Sequence, residues 1–311
     1  MNKLVTISVF AENPLTVGIK ELDFLGCLSY SAELRYAIAY SDSYRTADGN
    51  LHGGGFRDSG CGTVALLEGS RLLWLHEIPR PIQAAVSDDG NVLLCDLGFG
   101  VGTKTTILLF DRHGNKLMKE KIQAIALSCA ITPDGRVALA NSAGSNERNH
   151  SCKLFAFSIP EVRMLFVADF PLSQIKSAVR TNEGIAVEAD GLLYKFSLAG
   201  ERLNALEIDG QLFDKEMASG QYAAAYYLLD RRARSQLNER ERVFLQHCFT
   251  RLAGSCGSPE YSAKSYKRLG ELALATGDRT RATEHFRAAI ELNPKIGLKR
   301  RLGALEKENT K

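Results

Sequence analysis

The sequence predicts two domains of different class: an all-β unit over residues 1–209 and an all-α unit over residues 210–311. Three observations carry this. β-rich runs broken at an Asp-Gly or Glu-Gly turn recur along the first half, with Gly90, Gly135 and Gly184 spaced 45 and 49 residues apart. From about residue 211 the apolar residues stop alternating and take a helical period. The charge divides at the same point: residues 1–210 hold 20 Lys+Arg against 24 Asp+Glu, and residues 211–311 hold 19 against 12. A chain of 311 residues is long enough for two cores.

In the first half the elements run in order. KLVTISVF and LTVGIKEL, joined at Ala11-Glu12-Asn13-Pro14, read as the outer hairpin of an incomplete sheet. CLSYSAELRYAIAYSD (27–42) follows, with GTVALLEG and RLLWLHEI behind it. Then come IQAAVSDDGNVLLCDLG (82–98) with TTILLFD and KLMKEKI, and LSCAITPDGRVALANSAG (127–144) with CKLFAFS and RMLFVADF. KSAVRTNEGIAVEADG (176–191) closes the series with LLYKFSL and RLNALEI. Each copy offers four short antiparallel strands, and turn glycines supply the positive φ of tight hairpins.

Four short strands repeating every 40–50 residues resemble a β-propeller, and the S-x-D-G and T-P-D-G turns resemble those of WD40-like and YVTN-like propellers. The chain has neither a Trp-Asp dipeptide nor a Gly-His start, so the resemblance is to a divergent member. It implies four blades plus an N-terminal hairpin over residues 1–209, closed as a small ring or left as an arc. An arc would need its edges covered, by the helical half or by a second copy of the chain. In such a ring the connections between second and third strands share one face. They are long in three blades (43–61, 97–104 and 142–151) and short in the fourth, at Asp190-Gly191. Loops on a rigid scaffold carry binding chemistry, so Asp42, His52, Cys61, Lys104, His150 and Cys152 are expected on or near a binding face.

The helical half opens with DKEMASGQYAAAYYLLDRRAR, a Gly-Gln-Tyr turn followed by Ala225. ERERVFLQHCFTRLAG (239–254) is amphipathic, and Ser258-Pro259 starts the next helix. AKSYKRLGELALATGDRTRATEHFRAAIELNP (263–294) places Gly270 and Ala282 where two helices nearly touch, Gly277-Asp278 at the turn, Tyr266, Leu269, Phe286 and Ala289 on the apolar stripe, and Pro294 at the stop. This pattern resembles a tetratricopeptide repeat. The resemblance implies that Lys264, Lys267, Arg268 and Glu271 face a groove, continued by Arg300 and Arg301 of the last helix. Lys and Arg in a groove suit a carboxylate-bearing peptide; a plain solvated basic surface is the other reading.

Catalytic patterns are fragmentary. HGGGF (52–56) resembles the oxyanion loop of esterases, and Ser142 in ANSAG a degenerate nucleophile elbow, yet the parallel sheet with intervening helices that such a serine needs is missing from the pattern. His52 with Cys61 and His150 with Cys152 have ligand chemistry without ligand spacing. The Gly-rich LGFGVGTK lacks a strand-loop-helix context, and the basic helices lack interleaved aromatics for nucleic acid. Seven scattered cysteines, among them Cys27, Cys61, Cys95 and Cys129 at intervals of 34, suggest reduced thiols; the even interval reads as coincidence because the turn glycines fall out of step with it. No stretch is long enough to span a membrane.

The sequence therefore leads us to expect a cytoplasmic, non-catalytic scaffold without cofactor or metal. A protein or peptide partner sits in the helical groove and a second partner on the decorated loop face. Nucleic acid and membrane are not expected, and self-association stays open. The alternative is a ligand- or metal-binding, even enzymatic, propeller whose helices recruit or dimerise.

Overall fold

A computed structural model describes residues 3–12, 15–46, 48–53, 58–100, 103–255 and 257–309. Two compact units emerge, Met1–Leu203 and Asn204–Lys311, each with its own cores.

The first unit begins with β1 (Lys3–Leu4), β2 (Ile7–Glu12), β3 (Leu15–Ile19), β4 (Phe24–Tyr30) and β5 (Tyr36–Ser41). A small ribbon of β6 (Tyr44–Arg45) and β7 (Leu51–His52) follows, then β8 (Gly62–Glu68) and β9 (Arg71–Ile78). The larger strands form one sheet in the order β1-β9-β8-β5-β4-β3-β2. The N-terminal hairpin is thus not half of a separate sheet, as its sequence suggests. It extends the first full one, through β3–β4 pairing at Val17↔Gly26 and Ile19↔Phe24. The edge strands β1 and β2 are separated only by Val5 and Thr6. From Leu4 to Ile7 the chain reaches at most about 11 Å, so the sheet must curl until its edges approach. Small residues permit the curl. Ala37, Ala39 and Ala65 point inward with Val5, Val17, Ile19, Leu28, Leu67 and Leu72, while their strand neighbours Tyr36, Ile38, Tyr40, Val64 and Leu66 point outward.

Three further sheets follow: β10 (Pro81–Val86) to β13 (Lys116–Ile122) through β11 (Val92–Asp96) and β12 (Thr105–Phe110); β14 (Ala126–Ile131) to β17 (Arg163–Asp169) through β15 (Val137–Ser142) and β16 (Lys153–Ser158); and β18 (Ile175–Arg180), β19 (Ile185–Ala189) and β20 (Leu192–Phe196). Neighbouring sheets touch through their first strands, β10 with β4 and β5, β14 with β10, and β18 with β14. Each sandwiches apolar residues against the next. The outward face of the first sheet meets Val86, Val92, Leu94, Leu108 and Phe110 of the second. Leu93, Ile107 and Leu109 of the second meet Phe155 and Phe157 of the third, where Ala138 and Ala140 make room. Phe166 of the third stacks on Phe196 of the last at 5.9 Å. Strand alternation makes this stacking possible, because the second and third strands of the first three sheets are buried on both faces nearly throughout.

The last sheet has three strands rather than four. RLNALEI, expected as its outer strand, contributes only a bridge from Arg202 to Phe196 and a hydrogen bond from the Leu203 N–H to the Lys195 carbonyl. Helix α1 (Ala205–Ala218) then begins after Asn204, burying Ile208 and Phe213. The strand-to-helix change thus falls a few residues ahead of residue 209.

The second unit contains α1, α2 (Tyr222–Ala233), α3 (Glu239–Ser255), α4 (Pro259–Ala275), α5 (Arg279–Leu292) and α6 (Lys299–Asn309). Consecutive helices pack on one another, and alternate ones also touch, α1 with α3 and α2 with α4. The Ser219–Gln221 turn lies between α1 and α2 where the sequence places it. Helix α3 stands between this pair and the α4–α5 pair. In α4–α5, a Cβ at Gly270 would lie 2.4 Å from the Phe286 ring, so only glycine allows the approach. Gly277 turns at φ 81°, and the Asp278 side chain accepts from the Arg281 N–H at 3.0 Å, capping α5.

Candidate functional site

The predicted groove residues lie on α4 and α6, and the structure joins several of them to a residue that no sequence pattern singles out. Asp230 of α2 is buried among Tyr226, Arg234 and Arg268. It accepts from Arg268 Nε at 2.6 Å, from Arg234 Nη2 at 2.6 Å and from the Tyr226 hydroxyl at 3.1 Å. Arg268 also donates from Nη1 to Glu271 at 2.5 Å, and Glu271 receives Arg301 Nη1 at 3.5 Å. A row of alternating charges therefore crosses α2, α4 and α6. Burial pushes the Asp230 carboxyl upward, but hydrogen bonds from Arg268 and Arg234 outweigh it and hold the group below the usual carboxylate range. Burial opposes the charge on Arg268 too, and Asp230 and Glu271 overcome it. Arg268 and Glu271 are thus fixed parts of the wall. Among the described residues Lys267 and Arg300 have no acidic partner.

Lys264 stands apart from this row. Its ammonium donates to Glu260 at 2.6 Å and lies 4.7 Å from the Tyr261 ring centre, 5.8 Å from Tyr227 and 5.9 Å from Tyr226. Glu260 raises the Lys264 pKa. The Tyr226-Tyr227 pair, and Tyr261 three residues before Lys264, were visible in the sequence. Nothing local says that helices 35 residues apart would bring them together.

The loops between second and third strands lie where predicted, after β5, β11 and β15. Gly54–Phe56 of HGGGF, and Val101 and Gly102 in the second loop, lie outside the described residues. Asp42 approaches Arg80, a nearly buried arginine, at 3.8 Å, and the Arg80 N–H donates to Asp96 at 2.8 Å. His52 sits in the small ribbon, its ring 5.9 Å from Tyr44, and Arg45 ties that ribbon to Asp23 at 2.5 Å. Cys61 is half-buried and Lys104 exposed. His150 is a structural post: its Nδ1 accepts from the Gln123 N–H at 3.1 Å and its ring packs on Phe155. Cys152 takes φ 53° and anchors the loop through its backbone to Ala143 and Phe170. The Ser142 hydroxyl donates to the His150 carbonyl at 2.6 Å and accepts from the Lys153 N–H at 3.0 Å, which occupies it as a loop clamp. His52 lies on the connection from β5 to β8 and His150 on that from β15 to β16, with the whole second sheet between them along the chain, and among the described residues no three His, Cys, Asp or Glu side chains form a metal-holding group.

Two of the four evenly spaced cysteines, Cys95 and Cys129, do meet, and Tyr40 links them to Cys27. Cys27 pairs across strands with Tyr40. Cys95 is held protonated by the Cys129 sulfur and by burial, and burial plus the Cys27 and Cys129 sulfurs raise the Tyr40 hydroxyl. Cys248, in the helical unit, is pushed up to about 12 by burial. Such thiols are poor nucleophiles.

No protein-family model matches the chain, and no curated protein does. Among solved structures, the chain resembles one titled "Structure of Dos1 propeller", with TM-score 0.35 and 10% identity over 65% of this chain and 67% of that one. No helix is long and apolar enough to cross a membrane among the described residues.

Proposed function

We propose that this protein is a non-catalytic interaction scaffold, a propeller-like arc of sheets joined to a tetratricopeptide-like helical stack. A partner peptide rich in carboxylates lies along the α2–α4–α6 face. One observation carries the reading. Asp230 and Glu271 fix Arg268 in place and Arg301 reaches Glu271 at 3.5 Å, while Lys267 and Arg300 beside them are left without an acidic partner among the described residues. Fixed cations give register, and uncompensated ones give attraction. The loop face, with Asp42, His52 and Lys104 on long connections, takes a second protein surface.

Binding of a labelled oligo-glutamate peptide, followed by fluorescence anisotropy, tests the first part. The Lys267→Glu/Arg300→Glu variant should lose about tenfold or more in affinity, and added salt should weaken the wild type in the same direction. Arg268 is left intact, because its loss would strand the buried Asp230. Equal affinity of variant and wild type, or no binding by either, would remove the proposal.

A further inference from the structure

Glu260 and Lys264, four residues apart on α4, would pair on the surface of any helix. Here the pair is laid against an aromatic wall that such a pair does not require. Tyr226 and Tyr227 come from α2 and Tyr261 from α4, and their ring centres stand 5.5, 5.9 and 6.3 Å from one another. Ring faces attract a cation within about 6 Å, and all three meet that distance from the Lys264 ammonium. The wall is rigid at its back, where the Tyr226 hydroxyl donates to Asp230, itself pinned by Arg268. The occupant is held far less firmly, by a flexible side chain and a carboxylate whose own side chain is 58% exposed. Exposed pairs of this kind are weak.

We propose that Tyr226, Tyr227, Tyr261 and Glu260 form a cage for a methylated ammonium group on a partner polypeptide, with Lys264 as its built-in occupant. An unmodified lysine on a partner gains nothing over Lys264, which is tethered at high effective concentration. A trimethylated ammonium is weakly hydrated and presents more polarisable surface to the ring faces, so it displaces the resident lysine into solvent. The cage goes beyond the acidic-peptide reading, and its ligand has the opposite charge, so the two succeed or fail separately.

The test titrates the full chain with a short trimethyl-lysine peptide and its unmethylated twin, at constant ionic strength, following tyrosine fluorescence. The methylated peptide should bind and the twin should not. Lys264→Met should tighten the methylated peptide by about threefold to tenfold by removing the competitor. Tyr227→Ala should weaken it at least about threefold, while Tyr227→Phe keeps it, since the ring rather than the hydroxyl makes the contact. Tyr227 is 55% exposed, so its replacement spares the core. Equal binding of the two peptides, an unchanged affinity in Tyr227→Ala, or binding by Lys264→Met with a silent wild type would each overturn the cage. The last outcome would make Lys264 a permanent plug.

Discussion

Single residues in this chain are constrained by backbone conformation or by charge, and the two constraints predict changes of opposite sign. Leu34 occupies the left-handed position of the β4–β5 turn, at φ 58°, where Gly90 and Gly135 stand in the next two sheets. A non-glycine residue there costs about 1–2 kcal/mol, and the extra freedom glycine gives the unfolded chain returns about 0.4–1 of it. Because the Leu34 side chain is 68% exposed, Leu34→Gly should stabilise the β unit by about 0.5–1 kcal/mol in chemical denaturation. Asp230 works the other way. Its folded pKa is depressed, so its contribution is present above the unfolded value near 4 and is lost as pH falls through the folded one. Melting of the helical unit, followed by circular dichroism, should therefore drop as pH falls below about 4. Asp230→Asn should flatten that dependence and cost about 1–3 kcal/mol at neutral pH, discounted from a fully buried pair because Arg268 and Arg234 reach solvent. A melting temperature in Asp230→Asn that tracks the wild type through acid would mean that the charge row does not hold the unit.

At the scale of elements, what was legible in the sequence is what local chemistry decides. The hairpins of the second, third and fourth sheets sit at Gly90, Gly135 and Gly184 because a tight turn and alternating strands are read within a dozen residues. The α4–α5 pair was equally legible, since Gly270, Ala282 and Pro294 mark a close helical hairpin. Pairing between distant elements was not. Nothing near LTVGIKEL says that it joins β4 rather than a sheet of its own, and the apolar run at Ala205–Ile208 reads as a strand until the helical spacing to Phe213 is counted. The same limit applies to the candidate site: Lys264 and Arg268 were found, whereas Asp230, 38 residues from Arg268, and the tyrosines of α2 were not. Gly270 gives the element-scale test. In Gly270→Ala the new methyl would press on Phe286, which is fully buried and has no room to yield. Overpacking of about 1–3 kcal/mol exceeds the gain in helix propensity of about 1 kcal/mol. Urea denaturation should therefore show a net loss; a stabilised variant would mean that the two helices can separate at no cost.

Over the β unit as a whole, the question is why a stack of like sheets stops at four. In the first three sheets the second and third strands send Ile38, Tyr40, Val64 and Leu66, then Leu93, Cys95, Ile107 and Leu109, then Leu139, Asn141, Leu154 and Ala156 toward the following sheet, all buried. By register, the same positions in the last sheet are Ala186, Glu188, Leu193 and Lys195. Glu188 accepts from Ser177 at 3.0 Å and pairs with Lys176 at 3.2 Å, and Val179 on this face is 45% exposed. Covering these charges with another apolar sheet would cost several kcal/mol, so charge ends the stack here as a polar outer face ends a repeat array. At the other end the first sheet consumes its own inner face by curling. If charge is the terminator, removing it should expose a face of the kind the first three sheets bury. Glu188→Leu/Lys195→Leu should then self-associate in a concentration-dependent way, with a mass above that of the wild type in light scattering at matched concentration. The single variants, each keeping Glu188 or Lys195 on the face in addition to Lys176, should associate less. A double variant whose mass equals the wild type's at every concentration would show that the missing fourth strand, rather than the two charges, terminates the array.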